Sequence, residues 1–441
     1  MSSPQPSTIP GLFTSRIVKG LKLYVGKLRL FRRNARLYLL NTILGGVAFG
    51  IFRLLFNFYI LSLGYDEAML GQLLTVSSLV ALIGALPAGY LSDRLGRKPS
   101  LLLSSFTLTI AVLGMVVWHS TVGLYLMNVL SGLAQSLMGV TMGPFLMENS
   151  GEEERTYLFS LSFGFETTAA FVGNWLGGRL PEWLGTVGSV DAISAEAYGW
   201  SVAFVGFISL IRILPLTLLK RQPTAQQAGE PTLSPFQYAR QHPALLAKLT
   251  APMLITSLGA GLLMPFINIF FRSTHGRSDP AIGTLFAWGS LAMGIGLLLA
   301  PPLADRWGKI KVVVVSQALS IPFLILLGFT PWYWLSATAY LVRLALMNMS
   351  SPVYQTFVME QVDREARATT ASLVSMSWNF GWAFSPTISG WLQIRYGFDP
   401  VFVGTISTYI IAIILYWRFF WHESDKSKTQ KSATDEFHPK G

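Results

Sequence analysis

The stretch "GYLSDRLGRKPS", residues 89–100, sets four charged side chains between two runs that hold none, 68–92 and 99–118. Each flanking run matches or exceeds the ~20 residues an α-helix needs to cross a hydrocarbon core. Uncharged runs of similar length recur at 121–147, 281–304 and 312–342. The 441 residues are 51% hydrophobic and only 12% charged, against about 25% charged in an ordinary soluble chain. A chain of this composition is a polytopic membrane protein.

Working outward between charges, prolines and glycine clusters, the sequence predicts twelve spans. They fall near 37–63, 68–91, 99–119, 122–147, 156–180, 199–219, 246–271, 280–303, 311–330, 333–358, 368–393 and 399–420. The runs are continuously apolar rather than alternating, which selects helices over a β-barrel. No cleaved signal peptide is expected, because the basic first thirty residues lack a small-residue cleavage site behind an apolar core. With both termini in the cytoplasm, 26 of the 33 Lys and Arg residues lie inside and only Arg179, Arg272, Arg277 and Arg395 lie outside. The positive-inside rule therefore places both termini in the cytoplasm.

The predicted order is a basic N-terminal segment (1–36), a six-helix bundle (37–219), a cytoplasmic linker (220–245), a second six-helix bundle (246–421) and a tail (422–441). The net charge of +11 is spread over short loops and juxtamembrane segments. Its natural partner is an anionic inner leaflet rather than nucleic acid. The segment "FTSRIVKGLKLYVGKLRLFRR" alternates apolar and cationic residues, so it reads either as an interfacial helix or as a solvated topogenic tail. There is no cysteine, so disulfides, thiolate metal sites and Cys nucleophiles are excluded. The histidines, His119, His242, His275, His422 and His438, all sit at span ends, in loops or in the tail. No metal or cofactor is expected.

The opening motif has a second copy. "DRLGRK" at 93–98 corresponds to "DRWGKI" at 305–310, an offset of 212 residues that maps Asp93, Arg94 and Gly96 onto Asp305, Arg306 and Gly308. The same gap-free offset maps Glu148 onto Glu360, Arg155 onto Arg367 and Gly178 onto Gly390, so "MENSGEEER" and "MEQVDREAR" are one loop in two copies. A fixed long period is the signature of internal duplication. The chain is two six-helix halves in parallel.

On these motifs the sequence resembles the major facilitator superfamily. "GYLSDRLGRK" is similar to that family's signature between spans two and three, with its weaker copy between spans eight and nine. Glu148 and Arg155, with Glu360 and Arg367, resemble its further motif after spans four and ten. The resemblance implies an all-α fold of twelve transmembrane helices in two bundles, related by a pseudo-twofold axis along the membrane normal. It also implies a secondary active transporter working by alternating access, as a monomer in the cell membrane.

For the signature residues it implies a cytoplasmic gate made of Gly89, Asp93, Arg94, Gly96, Arg97, Glu148 and Arg155, with the second set Asp305, Arg306, Gly308, Glu360 and Arg367. Asp93 would face the start of helix eleven near Thr369 and Thr370, and Asp305 the start of helix five near Thr156. Helix dipoles favour an anion at such ends, and Gly89 allows close helix approach. Gly164, Gly173 and Gly177 match the first part of the family's antiporter signature, whose Pro and closing Gly pair are missing. Asn128 stands where the helix-four motif usually has Arg.

Ionisable groups deep in a span are costly and so usually functional. Of the 22 acids only Glu166 lies deep, accompanied by Arg53, Arg212 and Arg343. Glu166 is the candidate proton carrier, or else a static partner of Arg53. In the family, helices one, four, seven and ten line the cavity. Arg53 and Arg343 then face each other from opposite halves and suit a carboxylate, phosphate or sulfate, so the expected solute is a small organic anion or zwitterion. Arg343 has an alternative reading, a bond to a carbonyl or helix end. Asn57, Asn128, Asn268, Tyr340, Trp378 and Asn379 complete the candidate binding set, with Gln135 and Tyr354 near it. Arg212, beside Pro215, is read as a snorkelling side chain, and Pro265 as a kink in helix seven.

Other classes fit less well. A primary pump would need a GxxxxGK[ST] phosphate loop, which the chain lacks. An intramembrane enzyme would need a clustered nucleophile and base. A receptor that only keeps the fold would not need both gate copies. Proton-coupled transport of the anion is the expectation, with proton-coupled efflux of lipophilic compounds as the alternative.

Overall fold

The computed structural model describes residues 31–220, 240–362 and 367–421, without the side chains of 152–154, 156, 367–369 and 371. The expected N-terminal segment and tail, and most of the 220–245 linker, lie outside the described residues. The first half contains α1 (Arg33–Ser62), α2 (Glu67–Leu95), α3 (Arg97–Val117), α4 (Thr121–Glu148), α5 (Glu152–Gly177), the short α6 (Leu180–Gly188), α7 (Ala195–Ile211) and α8 (Ile213–Thr217). The second half contains α9 (Pro243–Leu263), α10 (Ile267–Ser273), α11 (Asp279–Trp307), α12 (Lys309–Phe329), α13 (Tyr333–Glu360), α14 (Arg367–Tyr396) and α15 (Asp399–Phe420). Two spans are interrupted. Arg212 separates α7 from α8 in span six, and a 3₁₀ turn over Met264–Phe266 separates α9 from α10 in span seven. The turn holds Pro265, whose ring cannot continue an α-helical ladder, as the sequence predicts.

Among the described residues, nine helical segments are long and apolar enough to cross a membrane. Three of the twelve spans, α5, α13 and α14, are not in that set. α5 holds Glu166, α13 holds Arg343, and α14 holds Ser375, Ser377, Asn379 and Ser385. Most of these polar residues are needed where helices face the interior rather than lipid.

The duplication is visible in the backbone. Gly96 is the single residue between α2 and α3, with φ 87° and ψ 162°. Gly308 is its copy between α11 and α12, with φ 96° and ψ 149°. Only glycine adopts this region at low cost, so the motif's Gly is set by the turn. Gly64 and Gly276, again 212 residues apart, both have positive φ at the α1–α2 and α10–α11 turns.

The two halves meet at the end opposite the Asp-Arg-x-Gly loops, and they meet symmetrically. A Cβ on Gly71 of α2 would stand 2.3 Å from the Pro386 carbonyl oxygen of α14. A Cβ on Gly283 of α11 would stand 2.6 Å from the Asn174 carbonyl oxygen of α5. Adding 212 to 71 and subtracting it from 386 converts the first contact into the second. The same exchange relates Gly390 against Glu67 to Gly178 against Asp279, where a Cβ would stand 2.1 Å and 2.5 Å from the carbonyl oxygens. Contacts that interchange under the repeat offset are what a pseudo-twofold axis between the halves produces.

Candidate functional site

Between the halves lies a cavity of about 990 Å³. Its closed floor is a junction of α1 with span seven. Asn57 Nδ2 donates to Asn268 Oδ1 at 2.8 Å and to the Pro265 carbonyl at 2.6 Å, and Asn268 Nδ2 donates to the Leu54 carbonyl at 2.8 Å. Both asparagines line the cavity, and their amides hold the two halves together.

A second junction lies beside this floor, and the sequence reading passes over it. Arg272 of α10 stacks 3.3 Å from the Phe58 ring centre of α1 and pairs with Asp279 of α11. Tyr198 of α7 donates to Asp279 at 2.6 Å, and Arg272 donates to Tyr198 at 2.6 Å. Asp279 is only 8% exposed. The cluster joins the halves at the closed end. The nearby His275 lies between Phe271, Phe270 and Tyr333. Burial, and then the Arg277 charge, holds its pKa below the ordinary histidine value.

Arg53 and Arg343 both line the cavity, and the Tyr340 hydroxyl feels both charges. The Arg53 guanidinium reaches across the halves to lie 5.6 Å from the Phe286 ring centre. Arg343 is 1% exposed. It donates to the Tyr409 hydroxyl at 3.0 Å and to the Met264 sulfur at 3.4 Å, and its Nε has no partner. Among the described residues, neither a carbonyl nor a helix end holds it. Among the described residues it makes no ion pair, so a buried guanidinium stands at the cavity wall without a compensating carboxylate.

Glu166 lines the same cavity, but its companion differs from the expected one. Arg212, not Arg53, is the cation that acts on it. Arg212 also points inward instead of snorkelling. Its Nε donates to Asn41 Oδ1 at 2.8 Å, and its Cζ would be 2.9 Å from a Cβ on Gly45. The break between α7 and α8 at Arg212 and the bare backbone of Gly45 together admit the guanidinium between α1 and span six. Lipid-side placement fails because Asn41, fully buried on α1, supplies a polar partner that lipid cannot. Arg53 is occupied with Phe286 and Tyr340.

The remaining candidates separate by environment. Asn128 donates to the Leu124 carbonyl of its own helix at 2.9 Å. Gln135 donates to Ser77 and Ser131 at 3.2 and 3.1 Å. Tyr354 donates to the Leu249 carbonyl at 2.5 Å, which ties it to α9. Trp378 and Asn379 line the cavity from α14, Trp378 half-buried and Asn379 exposed to the open space. The wall also holds eleven aromatic and six methionine residues, most of them outside the candidate set. Apolar residues in apolar spans carry no signal until the fold shows which of them face inward.

At the other end, the motif charges pair within each half. Arg97 donates to Glu148 at 2.9 Å, to Asp93 at 2.7 Å and to Ser92 at 3.0 Å. Lys309 pairs with Glu360, the same contact shifted by 212, so Lys309 belongs with the predicted set. Asp93, Arg94, Asp305 and Arg306 are exposed, and Arg155 is half-buried. The side chains of Thr156, Arg367 and Thr369 lie outside the described residues. A Cβ added at Gly89, Gly139 or Gly143 would meet nothing within 4 Å. Gly173 and Gly177 seat α5 against Val47 and Ile51 of α1, while Gly164 faces open space.

The chain matches the Major Facilitator Superfamily over residues 38–258 and again over 250–440. It is 24% identical over 411 residues to "Multidrug resistance protein MdtG" of Dickeya zeae, covering 90% of this chain and 96% of that protein. It is 24% identical over 406 residues to the MdtG of Proteus mirabilis, covering 88% and 96%. Among solved structures, the nucleoside transporter NupG superposes with a TM-score of 0.67 at 15% identity over 88% of this chain and 98% of its own. The inward open xylose transporter XylE from E. coli superposes with 0.68 at 14%, over 88% and 96%. A bacterial homologue of human Spinster, inward-facing and unoccupied, gives 0.69 at 16%, over 87% and 95%. With two matched halves, interchangeable contacts and a central cavity between them, this protein belongs to the Major Facilitator Superfamily of membrane transporters.

Proposed function

We propose that this transporter carries an amphipathic organic anion through the central cavity by alternating access, coupled to protons at Glu166. The observation that carries the reading is Arg343, a fully buried guanidinium with no carboxylate partner among the described residues. A buried charge left uncompensated is costly, and a solute acid group entering the cavity supplies the missing partner. Arg53 approaches from the other half, so one anion bridges both halves at Tyr340. Charged lining residues are three arginines against one glutamate, which disfavours a cationic solute. The aromatic and methionine wall takes an apolar body, and methionine adapts to varied shapes.

Under this reading the Asp-Arg-x-Gly end faces the cytoplasm, in keeping with the positive-inside distribution. The cavity is then inward-open, with the Asn57–Asn268 and Arg272–Asp279 junctions closing the outside. The protein works as a monomer in the cell membrane, both termini in the cytoplasm against an anionic leaflet.

The test is thermal stabilisation of the purified protein, because a ligand of the folded state raises its apparent stability. Naphthalene-1-sulfonate should stabilise, and Arg343→Gln should abolish the effect. Stabilisation by the lipophilic cation tetraphenylphosphonium in place of the sulfonate would sink the anion reading. That result would support the alternative, efflux of lipophilic compounds, which the MdtG relatives and the methionine-rich wall favour.

A further inference from the structure

The Arg212 site is not explained by the bridge at Tyr340. One nitrogen of its guanidinium is held by Asn41, and no hydrogen bond among the described residues takes the other two. Asn41 is fully buried, and with its oxygen accepting from Arg212, its Nδ2 donor is left without a partner. Tyr38, another cavity-lining residue, acts on Arg212 from the same helix. The site therefore holds a positive charge with donors left unfilled. An unfilled guanidinium fork at the cavity wall suits two oxygens of an acid.

Glu166 is within electrostatic reach of this fork from α5, yet no ion pair joins the two among the described residues. Tyr38 on α1 and Arg212 on span six are the ionisable groups that act on this carboxyl. Arg53 sits further along α1, occupied at Phe286. The α4 and α11 residues lining the cavity are uncharged.

We propose that Arg212, positioned by Asn41, is a second anion subsite that the Glu166 carboxylate and the solute's acid group occupy in turn, so that solute and proton bind together. This rests on the anion reading above and fixes the sign of its coupling. When Glu166 is ionised it competes for Arg212 and disfavours the solute. When it takes a proton from the water filling the open cavity, the fork is released to the solute. Anion and proton therefore travel in the same direction, whereas a cationic solute displacing the proton would give exchange.

Naphthalene-1-sulfonate is a suitable probe because its own charge does not change over the range in which carboxyls titrate. Its binding to the detergent-purified protein is followed as a function of pH, together with proton uptake in weakly buffered solution. The expected result is uptake of a proton with the anion, and an affinity that falls about tenfold for each pH unit above the carboxyl's midpoint. Glu166→Gln should bind the probe at all pH values with neither uptake nor slope. Asn41→Asp gives Arg212 a permanent acidic partner with little change in shape. It should weaken binding throughout and flatten the pH response. Binding by the wild type without proton uptake, or an undiminished slope in Glu166→Gln, overturns this inference and leaves the anion reading standing. Absence of probe binding at every pH overturns both.

Discussion

A single buried guanidinium has a different consequence from a pair. Arg343 is held by a tyrosine hydroxyl and a thioether, which orient it without neutralising it. Removing it with Arg343→Gln deletes charge-assisted hydrogen bonds of about 1.5–3 kcal/mol. Anion binding should weaken about ten- to a hundredfold, measured by titration with the sulfonate. Arg343→Lys should restore only part, since an ammonium cannot present two parallel donors to an acid group. His275 tests the outer surface. Its folded pKa lies below the ordinary 6.5, so the native state binds fewer protons than the unfolded chain. The stability it contributes is present above that ordinary value and is lost as pH falls through the folded value. In His275→Phe, the melting temperature should fall less on acidification than in the wild type, as measured across that window.

At the scale of elements, the turns between α2 and α3 and between α11 and α12 depend on one residue each. Gly96→Ala forces a Cβ into a backbone region used almost only by glycine, at a cost of the order of 1–3 kcal/mol. Gly308→Ala should cost a similar amount, because the two turns share their dihedral angles. Thermal melting of the two variants checks both the magnitude and the equivalence. The helix contacts of the closed end behave differently. Gly71→Val places atoms against the Pro386 carbonyl, where a Cβ already stands at 2.3 Å. It should hinder closure of that end, with little effect on packing within the first half.

For the whole molecule, the closed end is held by the Arg272, Asp279 and Tyr198 cluster together with the Asn57–Asn268 junction. Removing one partner from a fully buried ion pair costs about 3–5 kcal/mol; with the Arg272 side chain 29% exposed the cost here is smaller, and in a two-state transporter it falls on the state in which the pair is made. Arg272→Gln should therefore shift the population toward the conformation open at the α1–α2 turn end by about tenfold or more. The chain has no cysteine, so a lone Phe56→Cys next to the floor reports the shift. Its labelling should rise from that end and fall from the Asp-Arg-x-Gly end. An unchanged ratio would mean that the cluster does not hold the gate.

The order of spans and the duplication were legible in the chain because each is local or periodic. A hydrophobic run follows from lipid, a glycine from a positive φ, and a fixed 212-residue offset from copying. The same periodicity relates Arg97–Glu148 to Lys309–Glu360, since equal loops make equal contacts. What the linear order cannot express is which face of an apolar helix turns inward. The partnership of Glu166 with Arg212 rather than Arg53 depends on the break in span six and on Gly45 clearing room for the guanidinium. The Arg272 cluster joins residues from four helices, and the Met and aromatic wall is apolar like the lipid-facing surface. Only tertiary packing decided these, within the first half for Glu166 and Arg212 and between the halves for the Arg272 cluster, because side-chain neighbours are set by proximity in space, whatever their distance along the chain.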